Sequence, residues 1–233
     1  MVGVGLLGLV AGGAAATAVA QSGAAEPDRA RIEQIVREYI LSHPEIIPEA
    51  VEKLQQRELG KAVQQNRAAI ETPWGGAWEG AADGDVTLVE FYDYACTYCR
   101  ASIADIDRLL AEDKKLKVVY RELPVLGEAS VEAAKASLAV AKQGQGAFAR
   151  FHDTLFDAGR PTESAVAAAR RAAGSPSAAE TADLQAEIDS NYRLAQALGA
   201  NGTPLFVIGD KVVQGAIGYD ALKAAIAEAR AAK

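Results

Sequence analysis

The sequence is poor in the residues that hold small folds together without a core. Among 233 residues there are two cysteines, two histidines and one methionine. Two cysteines cannot make a disulfide scaffold, and both lie in one short stretch, Cys96 and Cys99. A zinc ribbon would need a second ligand pair. His43 and His152 are far apart and not in ligand spacing, so no metal site is expected. Aromatic residues make up 6 % of the chain, and the formal charge is −7 without any basic block. Nucleic acid is therefore excluded as an expected partner.

What the chain does have is apolar mass: half of it is hydrophobic, ample for an ordinary core. Val2 to Ala20 carries no charge, and Ala18-Val19-Ala20 before Gln21 fits a small-x-small cleavage site. Residues 1–20 are expected to be an export signal, with an uncleaved membrane anchor as the alternative. Either way the remainder is expected outside the cytoplasm, in the periplasm, where a dithiol meets oxidants.

Residues 26–72 read as a helical arm. Ile32, Ile35, Val36, Tyr39 and Ile40 recur at helical spacing. His43-Pro44 ends this first helix, and Pro48 suits the first turn of a second. Two readings stand for the apolar stripe: the arm folds back on the main domain, or copies pair into a homo-oligomer. Thr72-Pro73-Trp74-Gly75-Gly76 reads as a linker.

The main domain is expected over 80–233. Val86 to Tyr92 is rich in β-branched and aromatic residues and reads as a buried strand. Cys96-Thr97-Tyr98-Cys99 follows, then Ile103, Ile106, Leu109 and Leu110 at helical spacing, then a second strand, Leu116 to Arg121. This β-α-β unit puts the cysteines at the strand-to-helix turn. A helical, alanine-rich insertion spans about 128–198, with breaks at Gly144–Gly146, Gly159–Pro161 and Gly174–Pro176. Leu205–Ile208 and Lys211–Gln214 read as a hairpin, and Tyr219–Ala232 as a closing helix.

A Cys-x-x-Cys at a helix start does a particular job. Unpaired N–H groups and the helix dipole favour the thiolate of Cys96, which can attack a disulfide. Cys99, one turn further in, can resolve the mixed disulfide. Glu90 shares a strand face with Leu88 and Tyr92, so a partly buried carboxyl with a raised pKa could exchange a proton with a thiol. The plainer reading is that this face is solvated. Thr203-Pro204 stands just before a strand, where proline is tolerated; its isomer stays open at this level.

Val89 to Cys99 resembles the active-site strand and helix start of the DsbA-like thioredoxin-fold family. Leu123-Pro124-Val125-Leu126-Gly127 looks like that family's loop after the second strand, and Gly202-Thr203-Pro204 like its cis-proline loop. Residues 35–50 of the arm resemble the N-terminal segment of ScsC-like proteins, relatives linked to copper tolerance. The resemblance implies an α/β thioredoxin fold with a helical insertion and no cofactor. It makes Cys96 the nucleophile, Cys99 the resolving thiol, Glu90 the buried acid and Pro204 the cis-proline. Thr97, Tyr98 and Thr203 are then the residues that meet substrate.

The implied function is a protein thiol–disulfide oxidoreductase. Thr203 is similar to the isomerase branch, and Thr97-Tyr98 has no histidine to stabilise the thiolate by charge. An isomerase or reductase is therefore expected, self-associating through 26–72. Its expected partners are unfolded or misfolded exported proteins and a membrane redox protein. The alternatives are a monomeric dithiol oxidase and a Cu(I)-binding protein, since two thiolates suit that soft ion. A purely structural disulfide would close too short a loop to add much stability.

Overall fold

The computed structural model describes residues 25–176 and 181–233. The expected export signal lies outside the described residues. Among the described residues no helix is long and apolar enough to cross a membrane. The chain divides into two units, residues 1–50 and 51–233.

In the first unit α1 (Ala25–Ser42) is stopped as the His43-Pro44 step requires. His43 stacks on Tyr39 with ring centroids 4.4 Å apart, and its backbone N–H donates to the Tyr39 carbonyl at 2.9 Å. Ile32, Ile35, Val36 and Tyr39 are all at least half exposed, so this apolar stripe has no cover among the described residues. Helix α2 (Ile46–Glu71) begins in this unit and runs into the second.

The second unit is built on β1 (Trp78–Gly80), β2 (Val86–Tyr92), β3 (Leu116–Glu122), β4 (Leu205–Ile208) and β5 (Lys211–Gln214). The sheet order is β1-β3-β2-β4-β5. Strands β2 and β3 are parallel, joined through α3 (Thr97–Glu112); the other pairs are antiparallel. β2 and β3 are nearly continuous apolar runs because both sheet faces are covered. Leu88, Tyr92, Val118, Tyr120 and Phe206 face α3 and α8 (Tyr219–Ala231). Val89, Phe91, Val119, Leu205 and Val207 face the other way, against Val63 and Ile70 of α2 and Leu194 and Leu198 near the end of α7 (Ala182–Ala197). The insertion also holds α4 (Glu128–Ala141), α5 (Gln145–Asp157) and α6 (Glu163–Ala172), broken at the glycines and prolines named above.

From Leu59 onward, then, α2 belongs to the core of the second unit, whereas its earlier apolar residues Ile47, Val51 and Leu54 stay about half exposed. Gly60 makes the close approach possible, because a Cβ there would meet the Asp210 carbonyl oxygen at 3.3 Å. The last carbonyls of α2 are capped from the sheet: Arg121 donates to the carbonyls of Ala69, Ile70 and Thr72. The linker reading of 72–76 needs correction. Trp74 donates its Nε1–H to the Leu138 carbonyl at 3.1 Å, and Gly76 donates to Ala141 at 2.7 Å. A Cβ at Gly76 would fall 2.2 Å from the Gly144 backbone, so these glycines serve close packing rather than slack.

Candidate active site

Strand β2 ends at Tyr92, the chain turns, and Cys96 becomes the N-cap of α3, with φ −78° and ψ 119°. Asp93 builds the turn. Its Oδ1 accepts the Ala95 N–H at 2.7 Å and its Oδ2 accepts the Leu126 N–H at 2.9 Å, tying the cysteine turn to the 123–127 loop. Asp93 is buried and was not singled out from the sequence. The available signal was an Asp at a strand-to-helix junction, where such side chains bond the backbone two residues on.

The Sγ of Cys96 accepts the Cys99 N–H at 3.4 Å, satisfying one of the orphan donors of the helix start. The same sulfur lies 3.3 Å from the Thr203 carbonyl oxygen, to which the protonated thiol donates. The Cys96 pKa is held down to about 5. The largest cause is a hydrogen bond from the Cys99 thiol. The Thr203 side chain and the N–H groups of Cys99 and Tyr98 add to it, and partial burial opposes it. Cys99 is pushed the other way, first by burial, then by the Cys96 sulfur and the Glu90 carboxyl. The two cysteines are free, with no disulfide between them.

Glu90 lies in the middle of β2 on the same face as Leu88 and Tyr92, paired in register with Tyr120 and Phe206. It is 2 % exposed, and its Oε1 has no hydrogen-bond partner among the described residues. Burial, then the Cys96 charge, pushes its pKa well above the ordinary carboxyl value. The solvated reading of this face therefore gives way to a buried one. The Thr203–Pro204 peptide bond is cis, and Pro204 is buried at the entry to β4.

Thr97 is exposed and the Tyr98 ring is 67 % exposed. Both border a groove of about 790 Å³ beside Cys96, whose other walls include Val125, Leu126, Tyr192 and Thr203. Tyr192, from α7, donates its hydroxyl to the Pro124 carbonyl and so fixes the 123–127 loop from the far side. No sequence pattern marked Tyr192, because the insertion returns to the site only through the fold.

A second buried cluster sits behind the turn. The Tyr92 hydroxyl donates its proton to Glu122 Oε1 and lies 3.2 Å from the Tyr94 hydroxyl. Tyr94 lies 3.0 Å from the Ser137 hydroxyl and 3.1 Å from His152 Nδ1. Burial holds His152 down to about 3, so its ring is neutral at pH 7, and raises Glu122 well above the ordinary carboxyl range. His152 is ringed by Tyr92, Tyr94, Tyr120, Phe148 and Phe156. It is a structural histidine, and it locks the insertion to β2 and the turn that leads to the cysteines.

A parallel β-α-β core with a low-pKa thiol capping the crossover helix, a buried second thiol beneath it and a cis-proline loop alongside defines a thioredoxin-fold dithiol protein. The model of the DSBA-like thioredoxin domain matches residues 87–227, and the chain belongs to that family of thiol–disulfide oxidoreductases. The model of the copper resistance protein ScsC N-terminal domain matches residues 28–58. Among solved structures, a linker-deletion mutant of Proteus mirabilis ScsC is 27 % identical, with a TM-score of 0.73, covering 91 % of this chain and all of that one. A thioredoxin-like oxidoreductase from Silicibacter pomeroyi is 37 % identical, with a TM-score of 0.67, covering 72 % of this chain and 99 % of that one. Disulfide bond formation protein D of Bacillus subtilis is 27 % identical over 63 % of this chain and 73 % of its own length. The two resemblances expected from the sequence, of residues 35–50 to ScsC-like proteins and of residues 80–233 to the DsbA-like family, are both found.

Proposed function

We propose that this protein is a periplasmic disulfide isomerase or reductase acting on exported polypeptides, with Cys96 as nucleophile and Cys99 as resolving thiol. The observation that carries the disulfide exchange is the split between the two thiols, and the exposed stripe of the arm and Thr203 before the cis-proline support the isomerase direction. Cys96 is held as a thiolate at the helix start, and Cys99 is kept protonated beneath it beside a buried carboxyl. Cys96 Sγ attacks one sulfur of a substrate disulfide, and the other substrate sulfur leaves as a thiolate. The Cys99 thiol then gives up its proton, with Glu90 as the nearby acceptor, and attacks the Cys96 sulfur. The substrate thiolate leaves, and the enzyme carries the disulfide. Isomerisation requires the reduced state, which a membrane reductase would restore.

Residues 26–72 form the self-associating arm in this proposal, and 80–233 the thioredoxin-like domain. The exposed stripe of Ile32, Ile35, Val36 and Tyr39 supports association, since monomers seldom leave so contiguous an apolar face open. Export rests on the uncharged run at Val2–Ala20.

Two observations favour a dithiol oxidase as the second reading. A thiolate with a pKa near 5 stabilises the reduced form and so makes the disulfide more oxidising. One relative carries a name of disulfide bond formation. Reactivation of scrambled ribonuclease in a glutathione buffer separates them. Reactivation that is lost in Cys96→Ser supports the isomerase. No reactivation, with rapid oxidation of a reduced peptide, supports the oxidase. A Cu(I) role is favoured only by the ScsC N-terminal match, and competition with a Cu(I) chelator tests it.

A further inference from the structure

The groove beside Cys96 has a continuation. A second trough, of about 850 Å³, lies between α2 and β5, and Asn201 lines both. The two meet at the 199–203 loop, whose Thr203 carbonyl stands 3.3 Å from the Cys96 sulfur. All four residues of β5, Lys211 to Gln214, line the trough. Side chains alternate across a strand, so a run of four in sequence means that the edge of the strand, and not one face, opens onto it. β5 is last in the sheet order, and that side of its main chain pairs with no strand among the described residues. The facing wall is the stretch of α2 that includes Leu54, Gln55, Gln56 and Leu59.

We infer that this trough is an extension of the substrate site, which seats an extended polypeptide running on from the cysteine bonded to Cys96. The inference rests on the proposed disulfide exchange with polypeptides. Continuity with the Cys96 groove is one argument for this occupant. The chemistry of the walls is the other. An open strand edge offers N–H and C=O groups to any peptide backbone, whatever its sequence. The exposed amides of Gln55 and Gln56 can both donate and accept, again without selecting a side chain. Leu54 and Val213 supply apolar contact, and the trough holds one acidic and one basic residue, Glu58 and Lys211, so it repels neither sign of charge. A binding surface that reads backbone and general apolarity fits an unfolded substrate.

The test uses the full chain carrying Cys99→Ser, so that mixed disulfides persist, and a photo-reactive benzophenone residue in place of Gln55. The probe is an unstructured peptide of about sixteen residues whose single central cysteine is activated with nitrothiobenzoate. Each half, at about 3.3 Å per residue, spans roughly 26 Å. Cys96 attacks the peptide sulfur and expels coloured nitrothiobenzoate, which counts mixed disulfides. Illumination is then followed by reduction and mass analysis. The expected result is a peptide adduct at Gln55 that needs Cys96 and is absent when the benzophenone stands at Glu163, on the far insertion. A mixed disulfide without an adduct at Gln55 overturns the trough and leaves the exchange reading intact. An adduct only between two protein chains makes the occupant a second copy, which also overturns it. Failure of Cys96 to form the mixed disulfide at all takes down the exchange reading, and the trough with it.

Discussion

The sulfur of Cys96 and the main-chain carbonyl of Thr203 lie 3.3 Å apart, though 107 residues separate them in the chain. The contact puts the nucleophile against the backbone of the cis-proline loop just before β4, and the groups around the sulfur determine how the thiol titrates. Reduced protein followed by thiolate absorbance near 240 nm is expected to show one step with a midpoint near pH 5, from Cys96, and no second step below the ordinary thiol range, because Cys99 is pushed upward. Below pH 5 the rate of attack on a disulfide falls about tenfold per unit with the thiolate fraction. Cys99→Ala removes the largest cause of the depression, so the midpoint moves up towards that of a free thiol. A wild-type midpoint near 8.5 would contradict the geometry.

Glu90→Gln tests the buried carboxyl. Its folded pKa is raised above the unfolded value of 4.5, so the stability linked to its proton is fully present below pH 4.5 and is lost as pH rises through the folded value. Glutamine has no such loss. The urea midpoint of reduced Glu90→Gln should therefore exceed that of wild type by an amount that grows from pH 4.5 upward, at about 1.4 kcal/mol per unit. Resolution of the mixed disulfide should slow by roughly a hundredfold if Glu90 takes the Cys99 proton. Equal midpoints at pH 4.5 and 7.5 would mean that the carboxyl finds water or a partner.

The β-α-β unit was legible because its strands are unbroken apolar runs and its helix has a clean 3.6 period, and both are local signals. Glu90 could be placed on a face by alternation alone. The three-residue edge strand Trp78–Gly80 was not legible, being too short to show a period. The glycines at 75 and 76 misled for a related reason. Composition reports freedom, whereas their role is contact with Ala141 and Gly144, far along the chain. The groove walls at Tyr192 and the clamp at Asp93 arise from pairings 33 to 68 residues apart in sequence, which one-dimensional spacing does not encode. The arm shows the limit most directly. Its apolar residues from Ile32 to Ile70 read alike, yet only those from Leu59 onward meet the sheet.

Arg121 should be the costliest single polar residue to remove. It is 5 % exposed, pairs with Glu187 at 2.6 Å and Asn191 at 3.2 Å, and caps three carbonyls at the end of α2. Arg121→Met leaves Glu187, whose side chain is 13 % exposed, without a countercharge and the helix end without donors. The expected loss is about 3–5 kcal/mol of unfolding free energy, with the thiolate titration of the folded protein unchanged. Arg121→Lys restores charge but not the planar fork, and should recover only part of it. Denaturant titration of the three proteins checks the order, and a loss under about 1 kcal/mol for methionine would show that the network contributes little.

His152 makes the opposite prediction to Glu90 in its dependence on pH. It is a base whose folded pKa is lowered by burial to about 3, against 6.5 when unfolded. Between those values the unfolded chain binds the extra proton, so the stability linked to neutral His152 is complete above pH 6.5 and is lost as pH falls towards 3. This group alone should impose a slope of about 1.4 kcal/mol per pH unit across that window. Its ring is packed among Tyr92, Tyr94, Tyr120, Phe148 and Phe156, so His152→Phe preserves the aromatic packing, and the Tyr94 hydroxyl retains Ser137 and Tyr92. The phenylalanine variant should be less stable than wild type at pH 7 by about 1 kcal/mol for the lost hydrogen bond, yet more resistant to acid. The two stability curves are then expected to cross between pH 6.5 and 3. Glu90 and Glu122 impose slopes of the other sign in both proteins and drop out of the difference. Parallel curves over this range would mean that His152 already carries its proton in the folded state.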